Sequence, residues 1–379
     1  MRRLILLAMF VAIALPAGAR MTVAQLEQVL TKARFAHKSD AEVVRQIRPL
    51  ELSERLTEAS LDRLTANLAP GPQTVQALQL LADQSAFLDP PASELPAIAP
   101  PGDITQQQML DAARSYGAQT LSRLPNFLAT RTTNRYDDSP QELTKNAWPV
   151  RAGLHLVGTA SQEISVRDDQ GTLSPAAASA ARQEQAHNGL TSWGEFGPML
   201  AMILTDTAKG KVSWSHWEQA AAGPVAVFNF SVPRASSHFQ VNGSIPQHAP
   251  VETRSVTMPG SFGLQPGLDV SRTTIFHILP GYHGSLWLDP ATGTILRISV
   301  QAELKDRDPV KRSDVLVEYG PVLINGRSFV CPVRSLAFRM NPIDPNDTSG
   351  AAPLLMLNET LFTGYRRFAS TVRILPDIP

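Results

Sequence analysis

Apolar and polar positions alternate with a period of two through residues 283–338, and that alternation predicts a ladder of strands at 283–288, 294–300, 314–319 and 327–338. The connections agree with it. Pro290 presets φ for the second position of a type I turn, and Gly293 takes the positive φ that closes a short loop. Asn325-Gly326 is the strongest two-residue hairpin signal in the chain. Simple alternation through the 289–294 turn puts Trp287, Leu296, Ile298 and Val300 on one face, and Leu286, Leu288, Ile295 and Arg297 on the other. Both faces are partly apolar, as expected of a sheet curved around a helix.

The pattern upstream is helical. In residues 22–88, Thr22 caps a helix carrying Val23, Leu26, Val29 and Leu30, and residues 40–47 form a shorter one ended by Pro49. Ser53 caps a third with Leu56, Leu61, Leu64 and Leu68, and Pro72 opens a fourth with Val75, Leu78, Leu81 and Ala82 on one side. Such short amphipathic helices with brief connections make a small bundle. Residues 89–103 then carry five prolines, which exclude a helix and favour an extended spacer. A helix at 106–123, with Met109, Leu110, Ala113, Tyr116 and Leu121, ends before Pro125.

From residue 126 the period becomes two. Residues 127–136 form a strand and 154–167 a pair of short strands around Gly158, followed by a turn at 168–171 and an alanine-rich insertion at 174–189. The helix at 193–209 carries a broad apolar stripe of Phe196, Met199, Leu200, Ile203 and Leu204, which packs most simply across a sheet face. Residues 211–217 and 225–232 form a hairpin that 238–244 extends; 246–272 is a long loop, and 353–368 supply a last strand. The fold class is therefore α+β: a helical domain over 20–88, a proline-rich linker over 89–103, and a domain over 104–379 built on a curved, half-barrel-like antiparallel sheet packed on a helix.

Composition narrows the function classes. Lys+Arg and Asp+Glu are equal at 34, so no charge excess points to nucleic acid or an anionic membrane surface. Arg2-Arg3, the apolar run 4–15 and Ala17-Gly18-Ala19 read as a secretory signal peptide over residues 1–19, cut after Ala19, which places the mature protein in the periplasm or outside the cell. No later stretch reaches the ~20 apolar residues of a spanning helix. The single cysteine, Cys331, shares a strand face with Phe329 and Val333 and reads as a small buried hydrophobe.

Several segments of the chain resemble known families. Gly284-Ser-Leu-Trp-Leu-Asp-Pro-Ala-Thr-Gly-Thr-Ile-Leu-Arg297, with the continuation to Arg327, Leu124-Pro-Asn-Phe127 and Trp193-Gly-Glu-Phe-Gly197, resembles a group of uncharacterised exported proteins of acidobacterial type, which imply no activity. More remotely, residues 125–370 resemble the half-barrel of periplasmic lipoprotein carriers of the LolA type. That resemblance implies acyl-chain binding on a concave sheet face, and nothing for the N-terminal helices.

Candidate chemistry is sparse. There are eight histidines but no H-E-x-x-H, C-x-x-C, G-x-S-x-G or phosphate loop, so no cofactor or metal is expected and the strand histidines His216 and His283 read as structural. Asp344-Pro-Asn-Asp-Thr-Ser-Gly350 is similar to a calcium loop but lacks its distal Glu, and Asp137-Asp138 and Asp168-Asp169 sit beside turn residues. The aromatic set Trp193, Phe196, Trp214, Trp217, Phe228, Phe230 and Trp287 reads as core or as a hydrophobic groove. The leading expectation is an exported protein that binds a lipid or lipidated partner. Its groove is lined by Trp193, Phe196, Met199, Leu200 and Ile203 on the helix and by Trp287, Leu296 and Ile298 on the sheet. The alternatives are a non-enzymatic scaffold of the cell envelope, docking an exported partner through its N-terminal helices, and an unrecognised hydrolase.

Overall fold

The structure, a computed structural model, describes residues 20–123, 125–140, 153–167, 170–173, 195–247, 272–342 and 354–367. The 1–19 segment, Asp168-Asp169, the 174–189 insertion, Trp193, the 248–271 part of the long loop and the 344–350 turn lie outside the described residues. The chain divides into two compact units between Pro91 and Ala92.

The first unit holds α1 (Val23–Phe35), α2 (Asp40–Ile47), α3 (Glu58–Leu68) and α4 (Pro72–Ser85). Thr22 opens α1 with a reciprocal capping box: its hydroxyl accepts from Gln25 N, and the Gln25 side chain accepts from Thr22 N at 2.9 Å. α3 begins later than its apolar pattern implies, because Thr57 rather than Ser53 accepts from the helix, at Ser60 N. Asp40 joins α2 to α4. Its carboxylate accepts from Gln73 N and Thr74 N, each at 2.9 Å, at the positive end of α4. A Cβ at Gly71 would lie 2.3 Å from Asp40 Cγ, so only glycine lets the carboxylate approach this closely. Leu26, Ile47, Leu64 and Leu78, all nearly inaccessible, form the core of this unit.

The second unit contains α5 (Asp103–Arg123), α6 (Pro198–Thr207) and twelve strands among the described residues: β1 (Phe127–Asp137), β2 (His155–Arg167), β3 (Gln170–Leu173), β4 (Lys211–Ala220), β5 (Gly223–Val232), β6 (Val241–Gln247), β7 (Arg272–Ile278), β8 (Gly281–Leu288), β9 (Ile295–Glu303), β10 (Arg312–Ile324), β11 (Arg327–Met340) and β12 (Leu355–Arg367). Ten of them make one curved antiparallel sheet in the order β3-β2-β1-β12-β11-β10-β9-β8-β5-β4, so the last strand inserts between β1 and β11. The turns behave as their residues dictate. Asn325 and Gly326 adopt φ of 51° and 77° and join β10 to β11 in two residues. Gly293 has φ 70° and presses against the Ala112 backbone of α5, while Asp289 Oδ1 accepts from Ala291 N.

Four further expectations require correction. Residues 155–167 are one strand, not two; the register shift opposite Arg135/Tyr136 absorbs the irregularity near Gly158. Residues 241–247 do not extend the β4–β5 hairpin but pair with β7 in a separate two-stranded sheet. The helix expected from 193 starts at Pro198, because proline fills the first helical position and disfavours helix in the residue before it. Most consequential is β9. Leu288 pairs with Ile295 and Trp287 with Arg297, so Leu296 is an extra residue that breaks the alternation. Leu286, Leu288, Ile295, Ile298 and Val300 share one face; Trp287, Leu296 and Arg297 share the other.

Candidate functional site

α6 is apolar along most of its length, and the sheet face it covers is equally so. Met199, Leu200 and Ile203 pack in one core with Phe228, Leu286 and Ile298, and Met109 of α5 closes it. Four of the eight expected groove residues therefore come together: Met199, Leu200, Ile203 and Ile298. Ile203 and Ile298 are both fully buried, contributing roughly 1.5–3 kcal/mol each. The two helices approach closely, since a methyl group at Gly117 of α5 would lie 2.2 Å from Leu204 Cδ1 of α6.

Of the other four expected residues, Trp193 lies outside the described residues and three lie elsewhere. Trp287 and Leu296 are on the opposite face, where Trp287 packs with Val225 and Val227 beneath the Arg297 guanidinium, 4.8 Å from the ring centroid. The bulge at Leu296 is the reason. Phe196 precedes the helix and joins a second cluster, stacked edge-on against Phe362 at 5.0 Å and beside Phe127. Buried polar groups accompany that cluster: Arg131 lies 3.8 Å from Glu195, whose carboxylate also accepts from Ser335. Tyr319, held protonated chiefly by burial and then by the nearby Glu195 charge, donates to the Glu195 carbonyl.

A buried carboxylate closes the C-terminal end of α6. Asp206 accepts from Tyr282 OH at 2.9 Å, from His238 N at 2.9 Å and from His238 Nδ1 at 2.5 Å. Asp206 is shielded completely while the His238 side chain is 73% exposed. Burial, reinforced by the Asp206 bond and charge, keeps the Tyr282 phenol protonated well above its ordinary range.

The face away from α6 is polar across much of its width. Arg334 of β11 bridges Glu318 and Glu359, Asn134 donates to Glu359, and Thr159 donates to Asn134. At the β4 end of this face a second chain of bonds runs from Glu218 through His216, Ser215 and Asn229 to Ser285. His216, read from its strand position as structural, sits inside this chain. Strand alternation puts Ser215 and His216 on opposite faces, and only a register shift between Trp214 and His216 brings them together. The one local signal is the closeness of Ser215, His216 and Glu218 in sequence.

Among the described residues no three His, Cys, Asp or Glu side chains converge as a metal site, and no helix is long and apolar enough to cross a membrane. Comparison with known protein families, with curated proteins and with solved structures found no match.

Proposed function

We propose that the protein is an exported binding protein that takes an acyl chain, free or on a lipidated partner, against the sheet face covered by α6. The observation that supports this is the composition of the contact: Met109, Met199 and Met202 with Leu200 and Ile203 on the helical side, and phenylalanine and branched side chains on the sheet. Thioether side chains repack at small cost, so such a contact can open around an apolar chain. Export rests on the Arg2-Arg3 start, the apolar run after it and the Ala17-Gly18-Ala19 site. Intact mass of the exported protein is expected to give Arg20 as the first residue, and retention of Met1 would count against export.

A second reading, an envelope scaffold whose helix-covered face is simply core, is favoured by the close approach of Gly117 to Leu204. Native mass spectrometry of protein purified without detergent, followed by a fatty-acyl titration, separates the two. The fluorescence reporters are Trp214, which stacks edge-on against Phe228 at 5.4 Å in the α6-covered core, and Trp217 beside it at 4.9 Å; Trp287 faces the other way. Each buried methylene contributes roughly 0.8 kcal/mol, so about eight supply some 6 kcal/mol before association costs, enough for a saturable response. No co-purified lipid and no saturable change in the tryptophan signal would leave the scaffold as the reading.

A further inference from the structure

We propose that Ser215, His216 and Glu218 form a nucleophilic centre for hydrolysis of small carboxylic esters, on the sheet face away from α6. The centre does not depend on the acyl-chain reading, because the two sites use opposite faces of the sheet.

The geometry comes from one irregularity in β4. Trp214 pairs with Phe228 and His216 with Val227, so Ser215 is an extra residue and projects on the same side as His216. Glu218, two residues further, shares that side by ordinary alternation. The hydrogen bonds then set each proton. Ionised Glu218 only accepts, so the His216 Nε2 facing its Oε1 at 2.9 Å carries hydrogen. His216 Nδ1 is left as the acceptor for the Ser215 hydroxyl at 2.8 Å. Nucleophile, base and orienting carboxylate thus stand in one line. Asn229 supplies a further donor: its Nδ2 lies 3.2 Å from Ser215 Oγ, and its amide orientation is set by Ser285, whose hydroxyl donates to Asn229 Oδ1 at 2.8 Å. The His216 and Glu218 side chains are 18% and 15% exposed, shielded but within reach of solvent.

In the reaction, Ser215 Oγ bonds to the ester carbonyl carbon as its proton passes to His216 Nδ1, and Asn229 Nδ2 donates to the oxyanion that forms beside Oγ. The bond from carbon to the alcohol oxygen breaks, and the alcohol leaves with the proton from His216. Water then attacks the acyl-serine, giving a proton to His216. Ser215 Oγ departs and recovers that proton, releasing the carboxylic acid. Val227 and Val225, both buried, lie opposite His216 and Glu218 and back the centre with apolar side chains, and the Glu218 carboxylate repels an anionic acyl group, so an uncharged one suits the centre better. Glu218 acts through His216 and is a positioning residue.

The test is labelling of the full-length folded protein with a fluorophosphonate probe, read by intact mass and peptide mapping. A single adduct on Ser215 is expected, absent in Ser215→Ala and formed roughly 100-fold more slowly or worse in His216→Asn. Glu218→Gln is expected to lower the maximal labelling rate while leaving the half-saturating probe concentration unchanged, with partial recovery in Glu218→Asp. Circular dichroism confirms that each variant is folded. If Ser215→Ala fails to fold, Ser215→Cys takes its place and is expected to gain labelling by iodoacetamide that depends on His216. No adduct on Ser215 in the folded wild-type protein, or a rate unchanged by His216→Asn, overturns the proposal.

Discussion

Tyr282 of β8 donates its hydroxyl to Asp206 at the end of α6 across 2.9 Å, with both side chains removed from solvent. The bond ties the covering helix to the sheet beneath it. Tyr282→Phe removes a donor from a buried carboxylate, which leaves that group's desolvation less well compensated. The expected loss is about 1–3 kcal/mol, measured by urea unfolding.

Tyr282, Tyr319 and Tyr365 are all held protonated by burial, above the ordinary tyrosine value of 10. Each keeps its proton in the fold and releases it readily once unfolded. Their contribution to stability is therefore complete below pH 10 and falls as pH rises above it toward the folded values. A spectroscopic titration is expected to show these three phenols ionising together with alkaline unfolding. Their ionisation while circular dichroism remains native would contradict the assignment.

Cys331 is fully buried, and burial pushes its thiol up to about 12. Alkylating reagents at pH 8 are expected to leave it unmodified in the folded protein and to modify it fully in denaturant. Rapid native labelling would place Cys331 outside the core.

Met199 lies in the contact on which the acyl-chain proposal rests. Met199→Trp overfills that contact and is expected to lower stability by about 1–3 kcal/mol while weakening acyl-chain binding. Lost stability with unchanged binding would move the ligand elsewhere.

Two strand glycines are expected to respond in opposite ways to alanine. At Gly284 a methyl group would lie 1.9 Å from the Ser299 carbonyl oxygen and 2.8 Å from the Phe230 ring, so Gly284→Ala forces the backbone apart. At Gly158 a methyl group meets nothing within 4 Å, and Gly158→Ala is expected to be neutral or to stabilise by roughly 0.4–1 kcal/mol. Thermal unfolding of the two variants makes the comparison.

Much of the architecture was legible because its causes are local. Asn325-Gly326 takes the positive φ that a two-residue hairpin turn requires, Thr22 and Gln25 cap one another three residues apart, and Pro72 begins a helix by its own ring geometry. Alternation likewise located β1, β8, β10 and β11 within a few residues. Residues meeting across the sheet were legible only where no extra residue intervened.

Tertiary structure decided the rest through register. A bulge forms where two neighbouring strands must stay paired despite one having a residue too many, and that mismatch is written in the partner as much as in the strand itself. One extra residue at Leu296 sent Trp287 and Ile298 to opposite faces and divided the expected groove. Another at Ser215 set a serine beside a histidine that alternation had kept apart. The pairing of β12 between β1 and β11 and the burial of Asp206 under Tyr282 join residues tens to hundreds of positions apart. The sequence alone determined most of the helices and strands and the tight turns between them, because those preferences act over a few residues. The folded chain determined which side chains share a site, because that depends on pairings no local pattern encodes.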